Sequence, residues 1–256
     1  MNASERVVVV GLGEVGQPLL ELLGRRFDVV GVDVDTAAAF DGAPVSVMHI
    51  CFPFEIDDFV GETVRYVERF SPGLTIIDST VGVGSTRAVH LRTRARLVHS
   101  PVRGKHVRMK DELLAYTKYV GGVDRSSAAE AAVHFESVGM RTKILTSPEA
   151  TELAKLTETT YFGLLIAWAQ EVARYCDQVG AGYDEVVSFF EEIDFFPPVK
   201  YTPGVIGGHC VMPNIDILSR VDDSDLLSAI QLSNARRLEQ EVRRLAPDRA
   251  AETPVR

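Results

Sequence analysis

Apolar and polar positions follow two different rhythms along this chain, and the rhythm changes near Pro148. Before it, short β-branched apolar runs alternate with stretches of helical spacing. The runs predict strands at 6–10, 27–33, 45–52, 74–78, 97–100, 119–123 and 143–145. The intervals predict helices at 15–23, 57–70, 85–94 and 126–138, the first stopped by Gly24. Such alternation predicts a parallel sheet joined by crossover helices.

After Pro148 the spacing is helical throughout. Residues 149–179 hold no proline and a single glycine, Gly163, before Gly180 and Gly182 stop the run. A helix of that length spans roughly 45 Å at about 1.5 Å per residue. A second helix is predicted at 183–193, then a Pro/Gly-rich loop at 196–208, then helices at 214–220 and 224–245. Leu226, Leu227, Ile230, Leu238, Val242 and Leu245 mark the expected buried stripe of the last one. The predicted organisation is an α/β domain over 1–147 and a helical domain over 148–256. A helix so long cannot bury its whole apolar face on one small domain, so a homodimer through the helix from Glu149 to Val179 is expected.

Composition narrows the partners. With 256 residues, 46% hydrophobic and 25% charged, the chain reads as a folded globular protein. Its formal net charge of −9 argues against nucleic acid or an anionic membrane as partner, since phosphate binding needs a basic face. No run of ~18 apolar residues predicts a membrane helix. The start, MNASER, lacks the basic and cleavable pattern of a signal peptide. Cys51, Cys176 and Cys210 are too few and scattered for a disulfide framework or zinc site. A cytoplasmic protein with reduced thiols and no metal is the expectation.

The first strand runs into Gly11-Leu-Gly13-Glu14-Val15-Gly16, which opens a helix, and Asp33 ends the second strand 20 residues past Gly13. In this context the glycines permit a tight turn, close approach to a pyrophosphate, and close helix–strand packing. The helix N-terminus adds free N–H groups. Asp33 would accept from a ribose 2′-hydroxyl and repel a 2′-phosphate, which selects NAD over NADP. The predicted fold class is therefore α/β: a Rossmann-like doubly wound parallel sheet followed by an all-helical domain with one long helix. A ligand-free glycine turn or an S-adenosylmethionine site would share the pattern.

Three more segments carry chemistry. A strand ends in Asp78-Ser79-Thr80-Val81; Glu152-Leu-Ala-Lys155 opens the long helix with Thr159 one turn on; and Gly207-Gly-His209-Cys210 precedes a helix. In this order they resemble the UDP-glucose/GDP-mannose 6-dehydrogenase family, over most of the chain from Val7 to about Leu218. The resemblance implies two oxidations of an alcohol by NAD, with Cys210 trapping the aldehyde, Lys155 stabilising oxyanions and Thr80 aligning a hydroxyl or water. Thr159, His209 and Asn214 would face substrate. Arg103, Lys105 and His106, after the fifth strand, could clamp a carboxylate or phosphate. Cys51 and Cys176 read as core.

The departures from the family are specific. It carries Pro-Glu where this chain has Pro101-Val102, an Asn at the position of Thr159, and an Asp at that of Asn214. The family also has a further C-terminal domain gripping the nucleotide, for which 256 residues leave no room. The expected substrate is then small, polar and anionic or sugar-like, or is gripped by a partner protein. Three alternatives stand: a two-electron hydroxyacid dehydrogenase of the 3-hydroxyisobutyrate type using Lys155 without the thiol, an S-adenosylmethionine-dependent methyltransferase, and a module that senses NAD without turnover.

Overall fold

Four successive valines, Val7 to Val10, are buried on both faces of strand β1 (Arg6–Val10), which makes it a central strand rather than an edge. In this computed structural model, which describes residues 5–33, 42–104, 108–190, 193–194, 201–208, 210–221 and 224–245, the chain divides into two units, Met1–Lys155 and Leu156–Arg256.

The first unit holds α1 (Gly16–Leu23), β2 (Asp28–Val32), β3 (Val47–Ile50), α2 (Phe59–Phe70), β4 (Leu74–Ile77), α3 (Ser85–Thr93), β5 (Leu97–His99), α4 (Met109–Ala115), β6 (Lys118–Gly122), α5 (Arg125–Glu136) and β7 (Thr142–Ile144). The sheet order is β2-β1-β3-β4-β5-β6-β7. β1 pairs in parallel with β2 on one side and β3 on the other, so the strand order reverses at its C-terminal end. Ligands of open α/β sheets bind at such a reversal.

Alternation along β1 sends Val7 and Val9 to one core and Val8 and Val10 to the other. The first core includes Leu19, Leu22 and Leu23 of α1 with Ala131 and Phe135 of α5. The second takes Phe59, Val64, Val67 and Phe70 of α2 with Val89 of α3. α2 begins where the Asp58 carboxylate accepts the Gly61 N–H at 2.8 Å, and α5 where Asp124 accepts that of Ser127 at 2.8 Å.

Two expectations need correction. The sheet is not wholly parallel: β6 runs antiparallel to β5, through Val98–Gly122 and His99–Gly121. The connection holds the seven-residue helix α4, which the hydrophobic pattern did not show, and the chain re-enters the sheet at the edge it left. β6 and β7 return to parallel pairing through α5.

Helix α6 (Pro148–Val179) opens within the first unit. Its first turns are fastened there: Thr151 bonds His99, and Glu152 bonds the start of α3. The second unit contains the rest of α6, then α7 (Tyr183–Ser188), α8 (Val211–Leu218) and α9 (Asp225–Leu245), with no strand among its described residues. Its core gathers Ala167, Ile206, Val211, Ile215, Leu227 and Ile230. A satellite joins Val172, Cys176 and Val187. α7 ends at Ser188, earlier than its apolar spacing predicts, and α8 starts at Val211, three residues sooner. The predicted stripe of α9 is corrected as well: Leu227 and Ile230 are buried, but Leu226, Leu238 and Val242 are more than half exposed. The inner face instead carries polar Ser233 and Asn234, which bond α6 and the segment 201–208. The Leu245 side chain lies outside the described residues. No helix of the described residues is long and apolar enough to cross a membrane.

Candidate active site

The glycine turn lies at the strand reversal. Gly11 adopts φ +88°, and a Cβ there would sit 2.7 Å from the Phe52 nitrogen, so both conformation and space demand glycine. A Cβ on Gly16 would sit 1.8 Å from the Gly11 carbonyl oxygen. Gly13 is different: nothing lies within 4 Å of its Cβ position, and its backbone stands open. Val15 is the N-cap of α1, and Glu14 is exposed beside it. The Asp33 Oδ2 accepts the Leu12 N–H at 2.8 Å, tying the end of β2 to the turn. An open backbone at a helix N-terminus with a carboxylate beside it is a lining whose chemistry suits a phosphate and a hydroxyl-bearing group.

A buried polar cluster lies beneath that sheet edge, and the sequence showed only fragments of it. Lys118 Nζ donates to Asp78 Oδ1 at 2.6 Å and to the Ser100 carbonyl at 2.5 Å. His49 Nδ1 lies 2.7 Å from Asp78 Oδ2, and His49 Nε2 lies 3.0 Å from His134 Nε2. Asp78 can only accept, so His49 Nδ1 carries the proton between them. Burial pushes the Asp78 carboxyl up, but Lys118 and then His49 outweigh it and hold it below its ordinary value. Burial, and next the charge on His49, drive His134 down to about 3. Burial also raises the Cys51 thiol, Asp78 adding to the effect. His49, a polar residue inside an apolar run, was the one visible signal. Lys118 had none.

Ser79 and Thr80 end β4 at this edge. Ser79 Oγ donates to the Phe52 carbonyl at 2.6 Å and is a clasp between strands, whereas Thr80 is half-buried. His99 lies wholly buried, its Nε2 3.1 Å from the Ser79 carbonyl and its Nδ1 2.8 Å from Thr151 Oγ1. Burial lowers its pKa to about 3 against the pull of the Ser79 carbonyl, Lys118 and Lys155 adding to the drop. Lys155 is half-buried. Glu152, fully buried, accepts the N–H groups of Gly84 at 2.7 Å and Thr86 at 2.9 Å. It is therefore an N-terminal cap for α3 delivered from α6. Burial raises its pKa in spite of those two bonds.

Val102 is buried in the first core, so the position where the resembled family has a carboxylate points into apolar packing. The Arg103 guanidinium lies over the rings of Tyr116 at 5.6 Å and Tyr119 at 5.4 Å. Lys105, His106 and His209 lie outside the described residues.

In the second unit, Cys210 is the N-cap residue of α8 and is half-buried. One turn on, the buried Asn214 donates from Nδ2 to Thr159 Oγ1 at 2.9 Å. Thr159 in turn donates to the Leu156 carbonyl at 3.0 Å. The structure thus joins two of the predicted substrate residues into an uncharged pair. α8 reaches α6 at Gly163, where a Cβ would meet Val211 Cγ1 at 2.6 Å. That explains the lone glycine of the long helix. Cys176 is core, as expected from its helical neighbours.

Residues 149–240 match the UDP-glucose/GDP-mannose dehydrogenase family, central domain. A UDP-N-acetyl-D-mannosamine dehydrogenase of Methanocaldococcus jannaschii is 27% identical, the match covering 81% of this chain and 60% of that protein. The chain thus spans about three-fifths of the length of that relative. Among solved structures, the UDP-D-ManNAc dehydrogenase of Pyrococcus horikoshii superposes with a TM-score of 0.81 at 23% identity, over 93% of this chain and 70% of that one. The 3-hydroxyisobutyrate dehydrogenase of Mycobacterium tuberculosis shares the fold with a TM-score of 0.68 at 18% identity, over 93% of this chain and 94% of that one. Residues 149–240, which carry Lys155 and Cys210, are thus similar to the central domain of the UDP-glucose/GDP-mannose dehydrogenase family, and the chain as a whole shares the fold of these dehydrogenases.

Proposed function

We propose that this chain is an NAD-dependent oxidoreductase that removes hydride from an alcohol carbon of a small polar substrate, anionic or sugar-like. The observation that carries the reading is the open turn over Gly13 at the strand reversal, with Asp33 at the end of β2. NAD would supply the hydride acceptor. The turn around Gly11, Gly13, Glu14, Val15 and Gly16 would hold its pyrophosphate, and Asp33 its ribose.

The chain's own residues take the following parts. Thr80 hydrogen-bonds the substrate hydroxyl or a water. The Cys210 thiolate adds to the carbonyl carbon of the aldehyde: a C–S bond forms, the carbonyl π pair moves to oxygen, and that oxygen takes up a proton. The Lys155 ammonium stabilises the negative oxygen. Opening a thioester needs a base for the water, and general-base help is worth roughly 10²–10⁴-fold. The positions that would hold such a carboxylate in the resembled family are Val102, which is core, and Asn214, which is paired with Thr159. The first, two-electron oxidation is therefore the step these residues support best.

A homodimer through α6 accompanies this reading. Tyr161, Trp168 and Tyr175 stand about half exposed at seven-residue intervals along it. Sedimentation velocity tests it, and a monomer at all concentrations would sink it.

Thermal denaturation with NAD, NADP and S-adenosylmethionine tests the cofactor. A ligand at 100 times its Kd stabilises by about 2.7 kcal/mol. Stabilisation by NAD is expected, and none by NAD with a clear effect of S-adenosylmethionine overturns the reading. Absorbance at 340 nm with polar alcohols and sugar-like substrates then tests turnover. The second reading, a two-electron hydroxyacid dehydrogenase on the same fold, needs Lys155 and not the thiol. Full turnover in Cys210→Ser selects it.

A further inference from the structure

The segment that delivers Cys210 has little of its own to hold it in place. Residues 201–207 form no helix or strand. Gly204 and Gly207 have nothing within 4 Å of their Cβ positions, and Gly208 sits in the left-handed region at φ +78°. Glycines lose the most conformational freedom on folding, so such a segment stays in one place only where other groups bind its backbone.

Two carboxamides do so. Asn234 on α9 accepts the Ile206 N–H at its Oδ1, 2.7 Å away, and donates from Nδ2 to the Ile206 carbonyl at 3.1 Å. The amide orientation is unambiguous, because an N–H only donates and a carbonyl only accepts. The side chain satisfies both polar groups of one residue, as a neighbouring strand would. Gln170 on α6, 1% exposed, donates from Nε2 to the Gly204 carbonyl at 2.7 Å and lies 3.3 Å from Asn234 Oδ1. Gln170 is held in turn: Ser233 Oγ donates to its Oε1 at 3.0 Å and accepts from Arg174 at 2.7 Å. Between these bonds the Ile206 side chain plugs the core beside Val211, the residue after Cys210. Tyr183 fixes the far end of the segment, donating its hydroxyl to the Tyr201 carbonyl at 2.6 Å.

We propose that Asn234, braced by Gln170, is a positioning residue for Cys210: by holding both backbone groups of Ile206 it fixes the turn that carries the thiol at the start of α8. The inference rests on Cys210 as the reactive thiol, and it adds α9, an element with no residue in the proposed chemistry, to what sets that thiol's reactivity. A merely structural Asn234 would stabilise the helical unit without changing the chemistry of one cysteine.

Site-resolved alkylation separates these cases. The intact protein is treated with iodoacetamide from pH 6 to 9, and modification of Cys51, Cys176 and Cys210 is followed by mass spectrometry. Cys176, buried in the same unit, reports any general loosening. In Asn234→Ala the Cys210 rate should change by roughly fivefold, the factor one neutral hydrogen bond carries, and its rate–pH curve should move while Cys176 stays protected. Asn234→Asp keeps the acceptor for the Ile206 N–H and loses the donor, so it should fall between wild type and alanine. A Cys210 curve unchanged in a folded Asn234→Ala overturns the proposal. Should Asn234→Ala expose Cys176 together with Cys210, Asn234→Asp decides: a selective change at Cys210 supports positioning, whereas an unchanged Cys210 or a joint loss of protection overturns it. Turnover of Cys210→Ser is measured separately. Full activity there defeats the covalent reading of function and leaves the alkylation result standing.

Discussion

Lowering the pH from 7.5 to 5.0 should remove about 4 kcal/mol of folding stability through two histidines. His99 and His134 are held neutral by burial, each with its pKa brought from 6.5 to about 3. In the unfolded chain either ring takes up a proton below pH 6.5; in the fold it refuses one until about pH 3. Proton uptake therefore favours unfolding throughout that window. The stabilisation from a neutral ring is whole above pH 6.5 and falls as the pH drops. At pH 5.0 each ring has lost about 2 kcal/mol, at 1.36 kcal/mol per pH unit. That is a large share of a typical total of about 5–15 kcal/mol. Asp124 and Glu149 are both lowered to about 2, by bonds from Ser126 and from Arg87 respectively, so their stabilisation is lost only below the ordinary carboxylate range. Glu152, raised by burial, acts in the opposite sense and lessens the slope. Urea unfolding followed by far-ultraviolet circular dichroism at several pH values measures the effect. His99→Gln, whose amide can still donate to the Ser79 carbonyl, should remove about half of the slope. A stability that changes by less than about 1 kcal/mol between pH 7.5 and 5.0 would refute the burial argument.

The two exposed and enclosed glycines of the turn should behave oppositely. Gly16→Ala forces a Cβ to 1.8 Å from the Gly11 carbonyl and should destabilise by about 3 kcal/mol or more, whereas Gly13→Ala should keep the melting temperature and lose the NAD-induced thermal shift. Lys118→Met leaves the Asp78 carboxylate buried without its cation and should cost about 3–5 kcal/mol in urea unfolding; the double variant with Asp78→Leu should recover much of it. Gly163→Ala gains about 1 kcal/mol of helix propensity and meets Val211 at 2.6 Å, so a net loss of about 1–2 kcal/mol is expected, recovered in part by adding Val211→Ala. A Gly163→Ala protein more stable than wild type would show that α8 can move away freely.

Most of the sheet strands could be read from the sequence because a strand buried on both faces must be apolar at every position, as Val7 to Val10 are. The glycine turn was legible for a related reason. Gly11 and Gly16 are demanded by backbone closeness within a few residues, so the constraint leaves a local mark. The long helix was legible from its unbroken spacing. What the sequence could not show depends on contacts between distant residues. The direction of β6 is decided by where the chain re-enters the sheet, and no local pattern records that. Lys118 and Asp78 are 40 residues apart and meet only in the folded core. Glu152 stands in the segment with Lys155, and only packing shows that it caps α3. The same holds for α9. An apolar stripe was expected, but its inner face is polar, because its partner is a glycine-rich backbone that must be bound by hydrogen bonds. The sequence alone determined the scaffold, since strands buried on both faces and a tight glycine turn rest on short-range steric rules, and the resemblance it carries singled out Cys210 as a candidate thiol. The tertiary structure alone decided which side chains bind the backbone of Gly204 and Ile206, since hydrogen bonds to a bare backbone can come from any element that packs against it.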